Sequence, residues 1–397
     1  MPIEKISNLY IIIAYTNPED SIMSNCLICA KNIDATNNSK EHIIPNAIGG
    51  SDIVEFFLCE KCNNEAGENW DSELSNQLAT YCLLLGIKRC RGETPAQIHT
   101  TVSGESYLIR PNGRMTISKP TPPEIIDDIV SGTKKITFSA RDTSEARRML
   151  SGLKRKHPSL SVDEAMSTLK NVETYLNGDP LHFEGSFGGI AVGKSIIKTL
   201  LAFGHYNNVS YETMNLAIDF IRDNAEPCYG FYYDKKDIIT DRIFTQPAHA
   251  LAIQSFPERK KVIGYIEYFG VLRVLACLSD NYEGEEFKHS YYVYPENWTK
   301  GKIDFDLSIS ANDITEAYSL NKYDPEILKN ALTFFLSYVH SKDTNREDQR
   351  VLKRVEEILT EKYNPDATEK ELWDLTKDVT DSLMPYILSR TQRNRKK

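Results

Sequence analysis

The sequence has 397 residues, of which 41% are hydrophobic and 26% are charged, and its formal net charge is −9. This composition is typical of a soluble globular protein, and the length predicts two or three domains. The acidic balance argues against a protein that coats nucleic acid with its whole surface. No apolar run reaches the roughly 18 residues of a membrane span, so we expect a cytoplasmic protein with no membrane partner.

The first quarter of the chain predicts a small unit of two strands and a helix. It follows an ambiguous N-terminal segment, in which residues 9–15 could form a strand. Short apolar runs predict strands at residues 42–45 and 55–58, and an i+4 apolar pattern predicts a helix from Cys62 onward. The unit ends near residue 97, where glycine and proline close the helical pattern.

The rest of the chain alternates between strand and helix patterns. Period-two alternation with short connections predicts antiparallel strands, and a 3.6-residue period predicts helices. The predicted strands lie at residues 98–102, 106–109 and 134–139 and repeatedly within 229–307. The predicted helices lie at residues 143–156, 161–176, 188–204, 210–224, 328–339, 351–363 and 369–388. The sequence therefore predicts an α+β fold with a central antiparallel sheet and a helical C-terminal region.

Residues 26–64 carry the densest chemical pattern. They contain two Cys-x-x-Cys pairs, and Glu41-His42 lies between the pairs. Cysteines stay reduced in the cytoplasm, where paired cysteines favour metal ligation over disulfides. Two such pairs present four thiolates to one ion, so we predict a structural zinc site formed by Cys26, Cys29, Cys59 and Cys62.

The same segment resembles a known family. The pattern C-x2-C…E-H-I-I-P…G-G…L-C-x2-C-N…G, over about residues 26–74, is similar to the HNH endonucleases of the His-Me finger (ββα-metal) superfamily. The resemblance is to the subgroup with a four-cysteine zinc site. It implies an N-terminal ββα-metal finger that hydrolyses phosphodiester bonds of nucleic acid, with DNA as the expected substrate.

The resemblance also implies roles for three residues. His42 is the expected general base, and Glu41 and Asn63 are the expected ligands of one catalytic divalent ion, Mg²⁺ or another metal. An unperturbed imidazole titrates near about 6.5, which suits proton uptake at neutral pH. The sequence departs from the family in two ways: the acid is Glu rather than Asp, and the bracing Asn expected near Val54 is absent. Asn64 is an alternative to Asn63.

Two other functions remain open from the sequence. A zinc finger of this kind could bind nucleic acid or protein without cutting it. Residues 188–195 also satisfy the phosphate-loop pattern G-x4-G-K-[ST], with Lys194 as its lysine, which would indicate a nucleotide-binding protein. A phosphate loop belongs to a parallel sheet with alternating helices, whereas antiparallel strands are predicted here.

Contacts with nucleic acid are expected outside the finger, because the finger itself carries more acidic than basic residues. The best candidates are basic residues between 134 and 156 and the basic tail 390–397, although a solvated helix face and a disordered tail explain the same pattern. The candidates in the first group are Lys134, Lys135, Arg147, Arg148, Lys154, Arg155 and Lys156.

These observations predict three regions. Residues 1–97 form the HNH nuclease domain, residues 98–310 an α+β domain of unknown role, and residues 311–397 a helical region with a basic tail. The last two regions would supply substrate binding, sensing or homo-oligomerisation. By analogy with other nucleases that carry an appended domain, the protein is a candidate effector of bacterial antiviral defence.

Overall fold

A computed structural model describes residues 24–90, 92–111, 113–128, 133–169 and 180–395. The strand predicted at residues 9–15 and the last two residues of the basic tail lie outside these ranges. None of the helices in the described ranges has the length and apolar character needed to cross a bilayer.

The N-terminal unit consists of two small hairpins followed by helices. Its elements are β1 (Ser24–Asn25), β2 (Asn32–Ile33), β3 (Glu41–His42), a 3-10 helix (Asn46–Ile48), β4 (Ile53–Val54), α1 (Glu60–Ala66), a π-helix (Gly67–Asp71), α2 (Ser72–Gln77) and α3 (Ala79–Leu85). β1 pairs with β2, and β3 pairs with β4, both antiparallel. The second predicted strand lies two residues earlier than expected, because Phe56 has a left-handed φ of +57° that ends the extended run.

A four-stranded sheet and a separate hairpin follow. Their elements are β5 (Gln97–Thr101), β6 (Ser106–Ile109), β7 (Met115–Ile117), β8 (Glu124–Asp128), β9 (Thr133–Thr137), α4 (Thr143–Lys154), α5 (Val162–Ser167) and β10 (Leu181–His182). The sheet has the order β10-β5-β6-β7, and β8 pairs with β9. The helix predicted at residues 161–176 is α5, which is shorter, and residues 170–179 lie outside the described ranges.

The largest part of the structure is a six-stranded antiparallel sheet with one helix across it. Its elements are α6 (Ile190–Tyr206), a 3-10 helix (Tyr211–Thr213), α7 (Asn215–Ile221), β11 (Tyr229–Phe231), β12 (His249–Phe256), a 3-10 helix (Pro257–Arg259), β13 (Lys261–Tyr268), β14 (Leu272–Ser279), β15 (Lys288–Val293) and β16 (Lys300–Gly301). The strand order is β11-β14-β13-β12-β15-β16. The antiparallel sheet predicted from the sequence is thereby confirmed.

Three helices complete the chain: α8 (Ala311–Tyr318), α9 (Pro325–Lys362) and α10 (Glu369–Arg395). The sequence predicted two helices in the range of α9, separated by a polar stretch, but the structure has one helix of 38 residues. The polar stretch contains neither glycine nor proline, so nothing in the backbone ends the helix there.

Alternation along the central strands creates two cores. On β13, Ile266 faces the core beneath α6, and Tyr265 faces the core beneath α8. The core beneath α6 continues into the N-terminal unit, where it includes Leu58 and both Cys62 and Leu74. This shared core holds the N-terminal unit against α6, which positions the site described next. The predicted domain boundaries near residues 97 and 310 stay predictions.

Candidate active site

The four cysteines of the N-terminal unit converge at one point. The sulfur atoms of Cys26, Cys29, Cys59 and Cys62 all lie within 4.8 Å of one another, and those of Cys29 and Cys59 are 3.8 Å apart. A tetrahedral zinc site with Zn–S bonds of about 2.3 Å places its sulfurs about 3.8 Å apart. The backbone N–H of Cys59 also points at the Cys26 sulfur, at 3.4 Å. The cluster therefore has the donors and the spacing to hold a zinc ion.

Two side chains that precede β3 hold the turn between β4 and the third cysteine in place. Asn38 Oδ1 accepts a hydrogen bond of 2.7 Å from the backbone N–H of Phe56. The Ser39 hydroxyl donates to the carbonyl of Leu58, also at 2.7 Å. The sequence lacks the expected bracing Asn near Val54, and these two contacts join the segment before β3 to the turn after β4. Both side chains lie about twenty residues before the third cysteine, outside the range of the local pattern.

Glu41 and His42 line the same cavity, although neighbours on a strand normally point in opposite directions. They reach it together because β3 ends at His42 and the chain bends into the 3-10 helix Asn46–Ile48. The cavity has a volume of about 400 Å³. Its other walls come from the 3-10 helix, from the π-helix and α2, and from the segment after α3; they include Asn46, Gly67, Asp71, Ser72, Asn76, Arg89 and Gln97.

A buried lysine from α6 connects two carboxylates at this cavity. Lys198 is 1% exposed; its Nζ donates to Asp71 Oδ2 at 2.7 Å and to Glu41 Oε1. One turn earlier on the same helix face, the Ser195 hydroxyl donates to Asp71 Oδ1 at 2.6 Å. Burial opposes the charged form of Lys198, but Asp71 and Glu41 outweigh it and raise the lysine pKa. With both acids ionised, the three groups carry a net charge of −1.

His42 has electrostatic surroundings that suit a base. Burial lowers its pKa, and the nearby Lys198 charge lowers it further, while Asp71 acts in the opposite direction. A histidine with a lowered pKa is neutral at pH 7 and has a free lone pair to accept a proton. The side chain is only partly buried, so it is reachable from the cavity.

The third predicted site residue is on α1 and is not part of the cavity lining. Asn63 is the fourth residue of α1, half-buried, and it is not among the residues that line the cavity of Glu41 and His42. The neighbouring Asn64 does not line the cavity either. The structure thus brings Glu41 and His42 together, and the role of Asn63 as a metal ligand stays a prediction.

The sequence pattern did not reveal one acidic and one basic side chain of the site, Asp71 and Lys198. Asp71 lies eight residues after Asn63, two turns further along the helical run, and the i+4 spacing of that run was its available signal. Lys198 had a stronger signal, since it is a charged residue inside an apolar helix in which residues from Val192 to Gly204 are all buried. Its partner Glu41 is 157 residues away in the sequence, which local patterns do not reveal.

The groups that a phosphate loop would offer at residues 188–195 are engaged by the protein itself. Gly188 exchanges two hydrogen bonds of 2.9 Å with the side chain of Gln77. Lys194 is buried, donates to Asp223 at 2.5 Å and lies over the ring of Trp70. Ser195 belongs to the network described above. The pattern packs α6 against the N-terminal unit and against the segment after α7. The strands that follow α7 form an antiparallel sheet, not the parallel sheet of a phosphate-loop protein.

The predicted basic patch is exposed but is not part of the cavity. Lys135 lies on β9, and Arg147, Arg148 and Lys154 lie on the exposed face of α4, where Arg147 pairs with Asp163 at 2.6 Å. Arg155 and Lys156, which follow α4, are also exposed. Lys134 is also on β9, and its side chain lies outside the described part of the structure. None of the described side chains of this patch lines the cavity, so the role of the patch in nucleic-acid binding stays a prediction.

The basic tail is partly helical. α10 continues to Arg395, and Arg390 donates to Asp348 on α9 at 2.6 Å. This contact fixes the beginning of the tail against α9. The side chains from residue 392 onward lie outside the description.

Comparison with known proteins supports the family resemblance for this region. Residues 26–79 match the family model described as HNH endonuclease. A comparison with curated proteins gave no match, and neither did a comparison with solved structures. The matched range contains the four cysteines, Glu41, His42 and Asp71. Residues 26–79 are therefore similar to an HNH endonuclease domain, and this similarity supports a nuclease-type function with nucleic acid as substrate.

Proposed function

We propose that this protein is a metal-dependent HNH endonuclease that hydrolyses phosphodiester bonds of DNA. The observation that carries the proposal is that Glu41 and His42 line the same cavity. Both residues lie within the segment that matches the HNH family. In this proposal His42 is the general base, and Glu41 and Asn63 hold one divalent ion. The four cysteines hold zinc in a closed site, which stabilises the loop and takes no part in chemistry.

The base role of His42 depends on a neutral imidazole. The lowered pKa described above keeps the ring unprotonated at neutral pH. Such a ring accepts the proton of the attacking water as the water forms its bond to phosphorus. His42 is adjacent in sequence to Glu41, so the base and the metal ligand are held by the same short strand.

The residues present fit a divalent ion. Glu41 Oε1 accepts from Lys198, and no donor among the described residues contacts its second oxygen, Oε2. Carboxylate oxygens are the ligands that Mg²⁺ and Mn²⁺ prefer. Burial raises the pKa of Glu41, and when Glu41 is ionised the net charge of −1 on Glu41, Asp71 and Lys198 favours a cation. When bound, the ion would neutralise charge on the scissile phosphate. The Asn63 amide oxygen is the second proposed ligand, with Asn64 as its alternative.

The basic residues on β9 and α4 have a supporting role in this proposal. Their exposed charges, centred on Arg147 and Arg148, would bind DNA backbone phosphates that lie outside the cavity. Such contacts weaken as the salt concentration rises. The slope of the logarithm of the binding constant against the logarithm of the salt concentration falls in magnitude by about one for each phosphate contact removed. An effector role in bacterial antiviral defence would fit a nuclease with large additional regions, and it remains part of the proposal.

Plasmid cleavage tests the proposal. Purified full-length protein is incubated with supercoiled plasmid and Mg²⁺, Mn²⁺ or Ni²⁺, beside His42→Ala and a sample with chelator. The expected result is nicked or linear plasmid with wild type and metal only. Plasmid binding without cleavage under every metal would instead favour a zinc finger that binds nucleic acid. Equal cleavage by His42→Ala would rule out this site as the source of activity.

A further inference from the structure

One cation of the cavity has no role in the mechanism above. Arg89 lines the cavity together with Glu41 and His42 and is the only lysine or arginine among the described residues that line it. Its guanidinium makes no hydrogen bond or ion pair with any described residue, and its Nε is buried without a partner. Buried polar groups in native proteins are nearly always satisfied, so an unpaired one calls for an explanation.

Arg89 is held in a fixed position relative to His42. The 3-10 helix that follows His42 carries Asn46, whose Oδ1 accepts a hydrogen bond of 2.8 Å from the backbone N–H of Cys90. Asn46 Nδ2 also donates to the carbonyl of Gly50 at 2.9 Å, which anchors the amide on the finger. Because Cys90 is the next residue in the chain, these contacts tie the backbone of Arg89 to the segment that carries the base.

The charges around the cavity leave one position for an anion. Glu41 and Asp71 repel a polyanion, and the Lys198 charge is taken up by those two carboxylates. Among the described side chains that line the cavity, Arg89 is therefore the only lysine or arginine charge that a phosphate would meet. A guanidinium presents parallel N–H donors in a planar fork, which matches two phosphate oxygens better than an ammonium does.

We propose that Arg89 binds a non-bridging oxygen pair of the substrate phosphate in this cavity and so holds the phosphodiester beside His42. This inference rests on the proposed nuclease function and adds a substrate-binding residue to it. The guanidinium of Arg89 then has the substrate phosphate as its hydrogen-bond partner when substrate is bound.

Steady-state cleavage of a short DNA duplex with Mn²⁺, by the full chain, tests the inference. Arg89→Ala is expected to lower kcat/KM by about tenfold to hundredfold, as for the loss of a charge-assisted hydrogen-bond pair. Arg89→Lys should lose about tenfold, because it keeps the charge but not the fork. Lys88→Ala is the matched control: Lys88 is the adjacent cation, is exposed and does not line the cavity, so its kcat/KM should stay within about twofold.

Inorganic phosphate gives a second readout that does not depend on turnover. Its binding to the full chain, measured by calorimetry, should weaken in both Arg89 variants and stay unchanged in Lys88→Ala. If Arg89→Ala fails to fold, Arg89→Lys against Lys88→Ala decides the question. Arg89 variants that match Lys88→Ala in both readouts would overturn the inference. Cleavage by His42→Ala at the wild-type rate would overturn the proposed function instead, and phosphate binding would still report on Arg89.

Discussion

The buried lysine between the finger and α6 gives the most quantitative test of the packing described here. Replacing Lys198 by Met keeps the length of the side chain and removes its charge. Glu41 and Asp71 would then face each other without a cation in a site where Lys198 itself is 1% exposed. Removing one partner of a buried ion pair typically costs about 3–5 kcal/mol, because the remaining charge is left uncompensated. We expect Lys198→Met to lose this amount of stability.

Urea unfolding followed by tryptophan fluorescence measures this loss. Trp70 lies in the π-helix one residue before Asp71 and is the local probe, while the exposed Trp298 and Trp373 can be replaced by Phe. The control is Lys362→Met, which removes an exposed pair with Asp378 and should cost little stability, because solvent screens such a pair. A second substitution that removes one of the two negative charges, Asp71→Asn in the Lys198→Met background, should restore part of the lost stability.

A destabilisation of Lys198→Met no larger than that of Lys362→Met would refute the reasoning. The charge of Lys198 would then not be required to compensate the two acids. The same result would also mean that charge pairing with Glu41 does not hold α6 against β3.

Two further predictions concern zinc and acid stability. Cys59→Ser should reduce the zinc content well below the roughly one ion per chain expected of wild type, because a closed site needs all four thiolates. His249 is fully buried, and burial lowers its pKa to about 4 from 6.5. As the pH falls below 6.5, His249 is protonated in the unfolded chain before it is protonated in the folded protein. The folded state therefore loses about 3 kcal/mol of stability between pH 6.5 and pH 4, and none above pH 6.5.

Each of these has a matched control. Cys90→Ser leaves the four-cysteine cluster intact and should keep the zinc content, as measured by metal analysis. For the acid response, unfolding free energies of His249→Gln should vary less between pH 6.5 and 4 than those of wild type, while His340→Gln, at an exposed position, should follow wild type. Zinc retained by Cys59→Ser, or an unchanged acid slope in His249→Gln, would contradict the corresponding assignment.

Local patterns were sufficient for the elements and for part of the site. The matched cysteine pairs predicted the four-sulfur cluster, and the alternation after residue 229 predicted the antiparallel sheet. The Glu41-His42 pair was found because it lies between the cysteines. These features are encoded within a few tens of residues, the range over which spacing and periodicity carry information.

Contacts between distant segments were not predictable in this way. Lys198 meets Glu41 across 157 positions, and a single sequence gives no reason to join them. Arg89 reaches the cavity through the turn after α3, whose φ of +71° at Gly86 redirects the chain. The phosphate-loop pattern shows the converse case, in which a correct local match had a structural use: Lys194 and Ser195 bind side chains of the protein itself.

The most direct test of the central claim is the initial rate of DNA duplex cleavage by wild type, His42→Ala and His340→Ala. All three are measured with Mn²⁺ and at equal zinc content; His340 is an exposed histidine outside the cavity. Loss of a general base typically lowers the rate by about 10²–10⁴-fold. The account predicts a loss of this size for His42→Ala and a wild-type rate for His340→Ala. Equal rates for the two variants would contradict it.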